Sequence, residues 1–166
     1  LFPSTSLCRS RDFDLGFIVD SNSQSLSVIC EDGTIFGKDY ILVAVADYVL
    51  SRTPGNTVSG PNCTWALRDV TRKHGCQHYT SYVGQQNVIA KMNEVGAVIG
   101  GENNGSVIYP EYSNSGDVLV GILLFLSSLA QKLCTVSQLR CSLPFYHIVR
   151  NQIDLAPNID IDAVLK

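Results

Sequence analysis

The 166-residue chain has 12 Lys and Arg against 15 Asp and Glu, a net charge of -3, and is 45% hydrophobic. This composition is typical of one globular domain, and a sequence without basic runs does not suggest nucleic-acid binding. The longest apolar stretch, Val118 to Leu133, is too short and too polar for a membrane span. No signal-peptide pattern opens the sequence, so we expect a cytoplasmic protein without a membrane partner.

The apolar pattern alternates between strand and helix along the chain. Strands are predicted over 14–19 and 26–30, and a helix over 40–50 ends at Pro54-Gly55. The elements predicted after it are a strand over 56–59, a helix over 64–74, a strand over 76–79, a helix over 86–95, strands over 97–100 and 107–109, helices over 117–133 and 136–142, a strand over 146–155 and a helix over 160–166. The alternation over 38–143 predicts an α/β fold, in which helices cover both faces of a mixed, mainly parallel sheet.

A loop of small and polar residues separates two of these strands. Gly101, Glu102, Asn104 and Gly105 lie in the run Gly-Gly-Glu-Asn-Asn-Gly-Ser at 100–106. Glycine lets the backbone approach a ligand closely, and a carboxylate with amides forms several hydrogen bonds to hydroxyls. The loop therefore favours a polyol such as a sugar, although the same residues are common in simple turns.

A second polar loop follows the first predicted strand. Asp20, Asn22 and Gln24 alternate by two, as three oxygen ligands of a hard cation would. The six cysteines contain no CxxC pair, so a zinc or redox motif is not indicated.

Four segments together resemble one enzyme family. The loop at 20–26, the helix start Gly37-Lys38-Asp39-Tyr40, the pair Val83-Gly84 and the loop at 100–106 stand in the order and spacing of the alpha-D-phosphohexomutases. The closest similarity is to the phosphoglucosamine mutase and phosphomannomutase branch. The resemblance implies an α/β third domain, and it implies that Glu102 and Asn104, with Gly101 and Gly105, contact the hydroxyls of a hexose phosphate.

The resemblance also implies a domain plan and a reaction. Residues 1–36 correspond to the end of a second, metal-loop domain, 37–143 to the sugar-recognition third domain, and 144–166 to a linker and the start of a fourth. The family moves a phosphoryl group between the 1- and 6-positions of a hexose by means of a phosphoserine and Mg²⁺. No serine here matches the phosphoserine motif, so no catalytic residue is assigned.

The sequence departs from the family at its charged positions. The family's metal loop has three aspartates and an arginine, whereas Asp20 here is accompanied by Asn22, Gln24 and Ser25. Amide oxygens are neutral, so Mg²⁺ binding is expected to be weak or lost. Neutral residues also stand at positions that are usually basic or polar in the family, namely Trp65, Thr80, Ser81 and Gly116.

These departures favour a truncated relative that is catalytically inactive alone and binds a hexose phosphate weakly. One alternative is a segment of an active mutase that other domains complete. Another is an interaction module that forms a homo-oligomer or binds a partner chain. Among the remaining residues, we expect Asp117 to cap a helix rather than to act as a catalytic acid, and His74 to stabilise a helix end. We expect Trp65 to contribute to packing, with stacking on a sugar as the alternative.

Overall fold

The computed structural model describes residues 13–147 and 149. The first two strands, β1 (Leu15–Val19) and β2 (Leu26–Cys30), form an antiparallel hairpin. The other elements are α1 (Lys38–Arg52), β3 (Asn56–Ser59), α2 (Ala66–Lys73), β4 (His78–Thr80), α3 (Gln85–Val95), β5 (Ala97–Gly101), β6 (Val107–Tyr109), β7 (Ser113–Asp117), α4 (Val118–Lys132) and α5 (Val136–Ser142).

Five strands form a mixed sheet in the order β4-β3-β5-β6-β7. The pairs β3–β4 and β3–β5 are parallel, whereas β5–β6 and β6–β7 are antiparallel. The predicted α/β class is confirmed. The parallel part of the sheet is confined to the three strands that alternate with α2 and α3, because those strands are joined by helical crossovers.

Helices cover both faces of this sheet, as the sequence predicts. Strand β6 shows the division, since Val107 and Tyr109 pack in the cluster that contains α1 and α4, and Ile108 packs with α3. Helix α1 is buried along nearly its whole length because α2 and α4 flank it. The hairpin joins the same core through Leu26 and Val28 of β2.

Several predicted elements need correction. The strand predicted over 76–79 lies at 78–80, and β7 was not predicted. Tyr146, His147 and Val149 are in no strand, and the rest of the strand predicted over 146–155 lies outside the described residues, as does the helix over 160–166.

The long helix α4 has one exposed face. Asp117 caps it as predicted, because its carboxylate accepts hydrogen bonds from the backbone N–H groups of Leu119 and Val120. Its apolar composition suggested a well-buried helix, but Leu119, Leu123 and Leu126 are exposed. Within the described residues no single helix is long and apolar enough to cross a membrane; α4 and α5 reach that length and composition only together, with a bend of 84° between them.

Candidate functional site

The candidate site lies at the carboxyl ends of the three parallel strands. Ser59, Thr80 and Gly101 end β3, β4 and β5, so the loops after them meet at one edge of the sheet. Backbone hydrogen bonds continue beyond the strands, from Gly60 N to Gly101 O at 3.1 Å and from Ser81 N to Ser59 O at 2.9 Å. In open α/β sheets ligands bind at this edge.

Glu102 occupies the centre of this edge and is held by the start of α3. Its Oε1 accepts a hydrogen bond of 2.9 Å from the backbone N–H of Gly84, which is the N-cap residue of α3. The N-terminal end of a helix stabilises a negative charge. The side chain also lies beside Gly60, where a Cβ atom would stand 3.6 Å from Oε1. The carboxylate is therefore oriented before any ligand arrives.

Asn104 shapes the loop and joins it to the hairpin. Its Oδ1 accepts hydrogen bonds from Ser106 N at 3.0 Å and Ser106 Oγ at 2.9 Å. Its Nδ2 donates to Gln24 O at 2.9 Å, and its own carbonyl accepts from Leu26 N at 2.9 Å. The amide therefore has hydrogen-bond partners within the protein at both ends.

The loop's glycines are required by close backbone packing. A Cβ atom at Gly101 would lie 2.8 Å from Ser106 O, and one at Gly105 would lie 2.4 Å from Leu26 O. Gly105 also has φ of +85°, a conformation that side chains with a Cβ disfavour. These glycines let the loop fold tightly over the start of β2.

The loop at 20–25, which the sequence suggests as a metal site, lies beside Asn104 because Gln24 O accepts a hydrogen bond from the Asn104 side chain. Asp20 Oδ1 accepts hydrogen bonds from Gln24 N at 2.7 Å and Ser25 N at 2.8 Å, which close the loop. Asn22 and Gln24 are exposed and neutral. Within the described residues no group of three His, Cys, Asp or Glu side chains could hold a metal. This donor set does not fit Mg²⁺, which is held chiefly by carboxylates.

A small cleft next to Glu102 contains residues to which the sequence analysis assigned no ligand. It has a volume of about 160 Å³, and Ser59, Trp65, Arg68, His78 and Thr80 are among its lining residues. Trp65 is 61% exposed, so the expectation that it mainly contributes to packing is wrong. The sequence did contain a sign of this cleft, because polar residues stand at the ends of the strands predicted over 56–59 and 76–79.

His78 is a half-buried titratable group of this cleft. Its Nδ1 lies 2.9 Å from Thr57 Oγ1 and its Nε2 lies 3.4 Å from Ser59 Oγ. Burial, reinforced by the positive charges of Arg68 and Arg72, lowers the pKa of His78 to about 4. The ring is therefore neutral near pH 7.

His74 lies at the end of α2, as the sequence predicts, but its main partner is an acid. Its Nε2 lies 2.9 Å from Asp47 Oδ1, and Lys132 Nζ donates to Asp47 Oδ2 at 2.5 Å. Asp47 is a buried residue of α1. This cluster joins three helices and lies outside the candidate site.

Comparison with known proteins identifies the fold at this site. The family model for phosphoglucomutase/phosphomannomutase, alpha/beta/alpha domain III, matches residues 37–145. The chain belongs to this family. Phosphoglucosamine mutase of Campylobacter jejuni is 27% identical over 153 residues, which are 91% of this chain and 34% of that protein. Phosphoglucosamine mutase of Nitratidesulfovibrio vulgaris is 30% identical over 151 residues, 88% of this chain and 34% of that protein.

Solved structures show the same domain. A phosphoglucomutase/phosphomannomutase family protein from Burkholderia thailandensis matches with a TM-score of 0.72 and 29% identity, over 85% of this chain and 31% of that one. A putative phosphomannomutase from Thermus thermophilus shares the fold, with a TM-score of 0.77 and 22% identity, over 85% of this chain and 33% of that one. The chain thus spans about a third of the length of its phosphohexomutase relatives.

Proposed function

We propose that this chain is a sugar-recognition unit of the phosphohexomutase type that binds a hexose or hexose phosphate weakly and transfers no phosphoryl group by itself. The single observation that supports this most is the fixed position of Glu102. Its carboxylate is held by Gly84 N at the edge of the sheet where α/β proteins bind ligands. A carboxylate offers about four acceptor positions, and this bond uses one of them.

Binding by this site is expected to be weak. A hydrogen bond to a charged group contributes about 1.5–3 kcal/mol, and Asn104 is already engaged with Ser106 and Gln24. A few such bonds give a binding free energy of about -4 kcal/mol, which corresponds to a dissociation constant of roughly 1 mM. Asn104 contributes by positioning the loop, and Glu102 by contacting the sugar.

The absence of phosphoryl transfer is proposed from the donor atoms present. Asp20 is the single acid among residues 20–25, and its Oδ1 caps the loop. Stabilising a transferring phosphoryl group needs cations or a metal. Trp65 and Thr80 stand at two positions that the resemblance to the family makes usually basic. The alternative, a segment of an active mutase completed by other domains, requires a magnesium affinity that these residues do not support.

An NMR titration with glucosamine 1-phosphate, glucose 1-phosphate and mannose 1-phosphate tests the sugar site. We expect saturable amide shifts at residues 100–106 and at Gly84, and at least a tenfold weaker affinity in Glu102→Gln, which keeps the side-chain shape. Glu94→Gln is the matched control, because Glu94 is exposed and pairs with Lys91 on α3. Unchanged binding by Glu102→Gln, or no shift at millimolar sugar, would contradict the proposal.

A second candidate function is self-association through α4. Leu119, Leu123 and Leu126 are exposed at spacings of four and three, the pattern of a helix-pairing seam, and Leu119 is 74% exposed. The same three leucines of a second copy of the chain would form an apolar surface of equal length, so the two helices could pack on each other. Burying each leucine would contribute ~1.5–3 kcal/mol. Sedimentation that shows dimers at high concentration, lost in Leu123→Glu, would support this function, whereas a monomer at every concentration would exclude it.

A further inference from the structure

Strand β4 lies at one edge of the five-stranded sheet, and its outer side carries unpaired backbone groups. On its inner side, Gln77 O and Ser81 N form hydrogen bonds of 3.0 and 2.9 Å with β3. Alternate residues of a strand direct their backbone groups to opposite sides, so the N–H and C=O groups of His78 and Thr80 point away from β3. Among the residues that the structure describes, none bonds to these four groups. The edge therefore offers two donors and two acceptors to a further strand.

A groove lies between the end of β4 and helix α3. Its volume is about 520 Å³, within the ~300–1,000 Å³ that is typical of ligand sites. Residues from both elements line it, among them Thr80, Tyr82, Asn87, Ala90, Lys91 and Glu94. The four α3 residues follow one another at spacings of three, one and three, so they share one face of the helix. A strand added beside β4 would direct every second side chain into this groove.

The side of the edge that α3 covers is partly apolar, and its two charges are paired with each other. Tyr79 packs against the buried cluster that includes residues of α3. Lys91 Nζ lies 5.8 Å from the centre of the Tyr79 ring, within the range of a cation–π contact, and 2.7 Å from Glu94 Oε1. The tyrosine ring and the aliphatic part of Lys91 favour an apolar side chain on this side.

The side of the edge that α2 covers is positively charged. Arg68 and Arg72 are one helical turn apart on α2, and both act electrostatically on His78 of β4. Arg68 Nε forms no hydrogen bond and lies 3.6 Å from Asp69 Oδ1. Arg72 is exposed, and in the described part of the chain no acid forms an ion pair with it. This side therefore favours an acidic side chain.

These charges determine which strand fits the edge. If β4 of a second copy were added in antiparallel register, Arg68 and Arg72 of both chains would lie on the same side of the joined sheet, where like charges repel. A strand with acidic side chains on that side avoids this repulsion. Because successive side chains of a strand alternate between its two sides, a segment of alternating acidic and apolar residues is complementary to both.

We propose that the outer edge of β4 binds an extended segment of a partner protein as an added strand, with acidic side chains toward α2 and apolar side chains toward α3. The backbone groups of His78 and Thr80 supply the hydrogen bonds of the new pair, and the two arginines with the α3 groove select the side chains. This interaction goes beyond sugar binding and does not depend on Glu102.

An NMR titration of the 166-residue chain with a capped heptapeptide of alternating valine and aspartate tests the added strand. We expect saturable amide shifts at His78, Thr80, Ala90 and Lys91, and slower hydrogen exchange at the amides of His78 and Thr80 when the peptide is bound. The matched peptide with lysine in place of aspartate should bind about tenfold more weakly. Equal binding of the two peptides, or no shift with either, would overturn the proposal.

Thr80→Pro removes one outward N–H donor from the edge. The sheet itself loses no hydrogen bond, and proline is tolerated where a strand's N–H faces solvent. Binding of the aspartate peptide should fall about tenfold in Thr80→Pro and should stay unchanged in Thr80→Ala, the matched control that keeps the N–H group. Full affinity in Thr80→Pro would overturn the strand pairing.

The charge preference is tested by variants that leave the strand intact. The double substitution Arg68→Gln with Arg72→Gln should weaken binding of the aspartate peptide about fivefold and leave binding of the lysine peptide no weaker. Unchanged affinity for the aspartate peptide would overturn the assignment of acidic side chains to the α2 side. Slow exchange at His78 and Thr80 together with dimers in sedimentation, both without peptide, would assign the edge to a second copy and overturn the proposal.

Discussion

Replacing Gly105 by alanine tests how tightly the Glu102 loop is packed on the hairpin. The added Cβ would lie 2.4 Å from Leu26 O and 3.0 Å from Ile41 Cδ1. The backbone at +85° adds ~1–2 kcal/mol for a residue with a Cβ. Overpacking adds ~1–3 kcal/mol, so the free energy of unfolding should fall by ~2–5 kcal/mol.

Gly75→Ala separates the two contributions. Gly75 has φ of +73°, but a Cβ there meets no atom within 4 Å. Urea unfolding followed by circular dichroism should therefore show only a small decrease in the free energy of unfolding for Gly75→Ala. The midpoint for Gly105→Ala should lie ~0.5–1.5 M lower still, for a slope of about 2 kcal/mol/M. Equal midpoints for the two variants would refute the close approach of the loop to Leu26.

Three further changes test the Asp47 cluster, the contact between the two loops and the loop at 20–25. Burial raises the pKa of Asp47, but hydrogen bonds from Lys132 and His74 outweigh it and leave the pKa lowered. A lowered folded pKa gives stability that is present above the unfolded pKa of about 4 and is lost as pH falls through the folded value. Asp47→Asn should lower the free energy of unfolding by ~1–3 kcal/mol at pH 7. The loss of stability between pH 7 and pH 3 should be smaller than in the unsubstituted chain, as urea unfolding at the two pH values would show. Asn104→Ala should shift the amide resonances of Gln24 and Ser106 and reduce stability by ~1 kcal/mol; unchanged Gln24 shifts would contradict the contact between the loops. Addition of millimolar Mg²⁺ should leave the amide shifts of residues 20–25 unchanged, and a saturable shift there would contradict the loss of the metal site.

The sequence predicts the helices and parallel strands well because their apolar faces are buried. Helix α1 is an example, since its run from Tyr40 to Leu50 is almost entirely core. Strand β7 was missed because its residues, Ser113–Asp117, are polar and its pairing with β6 depends on the tertiary fold. The exposed face of α4 was missed for a related reason, since an apolar composition does not show which side faces solvent.

The candidate site was predicted in part. The glycine-rich loop identified Glu102 because its residue types are local in sequence. The anchoring of Glu102 by Gly84 and of Asn104 by Gln24 could not be predicted, because these partners are 18 and 80 residues away.

The proposed function depends on Glu102 binding a sugar without a metal. The most direct test is the dissociation constant for glucose 1-phosphate and for methyl β-D-glucopyranoside, measured by NMR at residues 100–106 in EDTA and in 5 mM Mg²⁺. We expect saturable binding with the same dissociation constant in both buffers and loss of binding in Glu102→Gln. Binding that requires Mg²⁺, or that survives in Glu102→Gln, would contradict it.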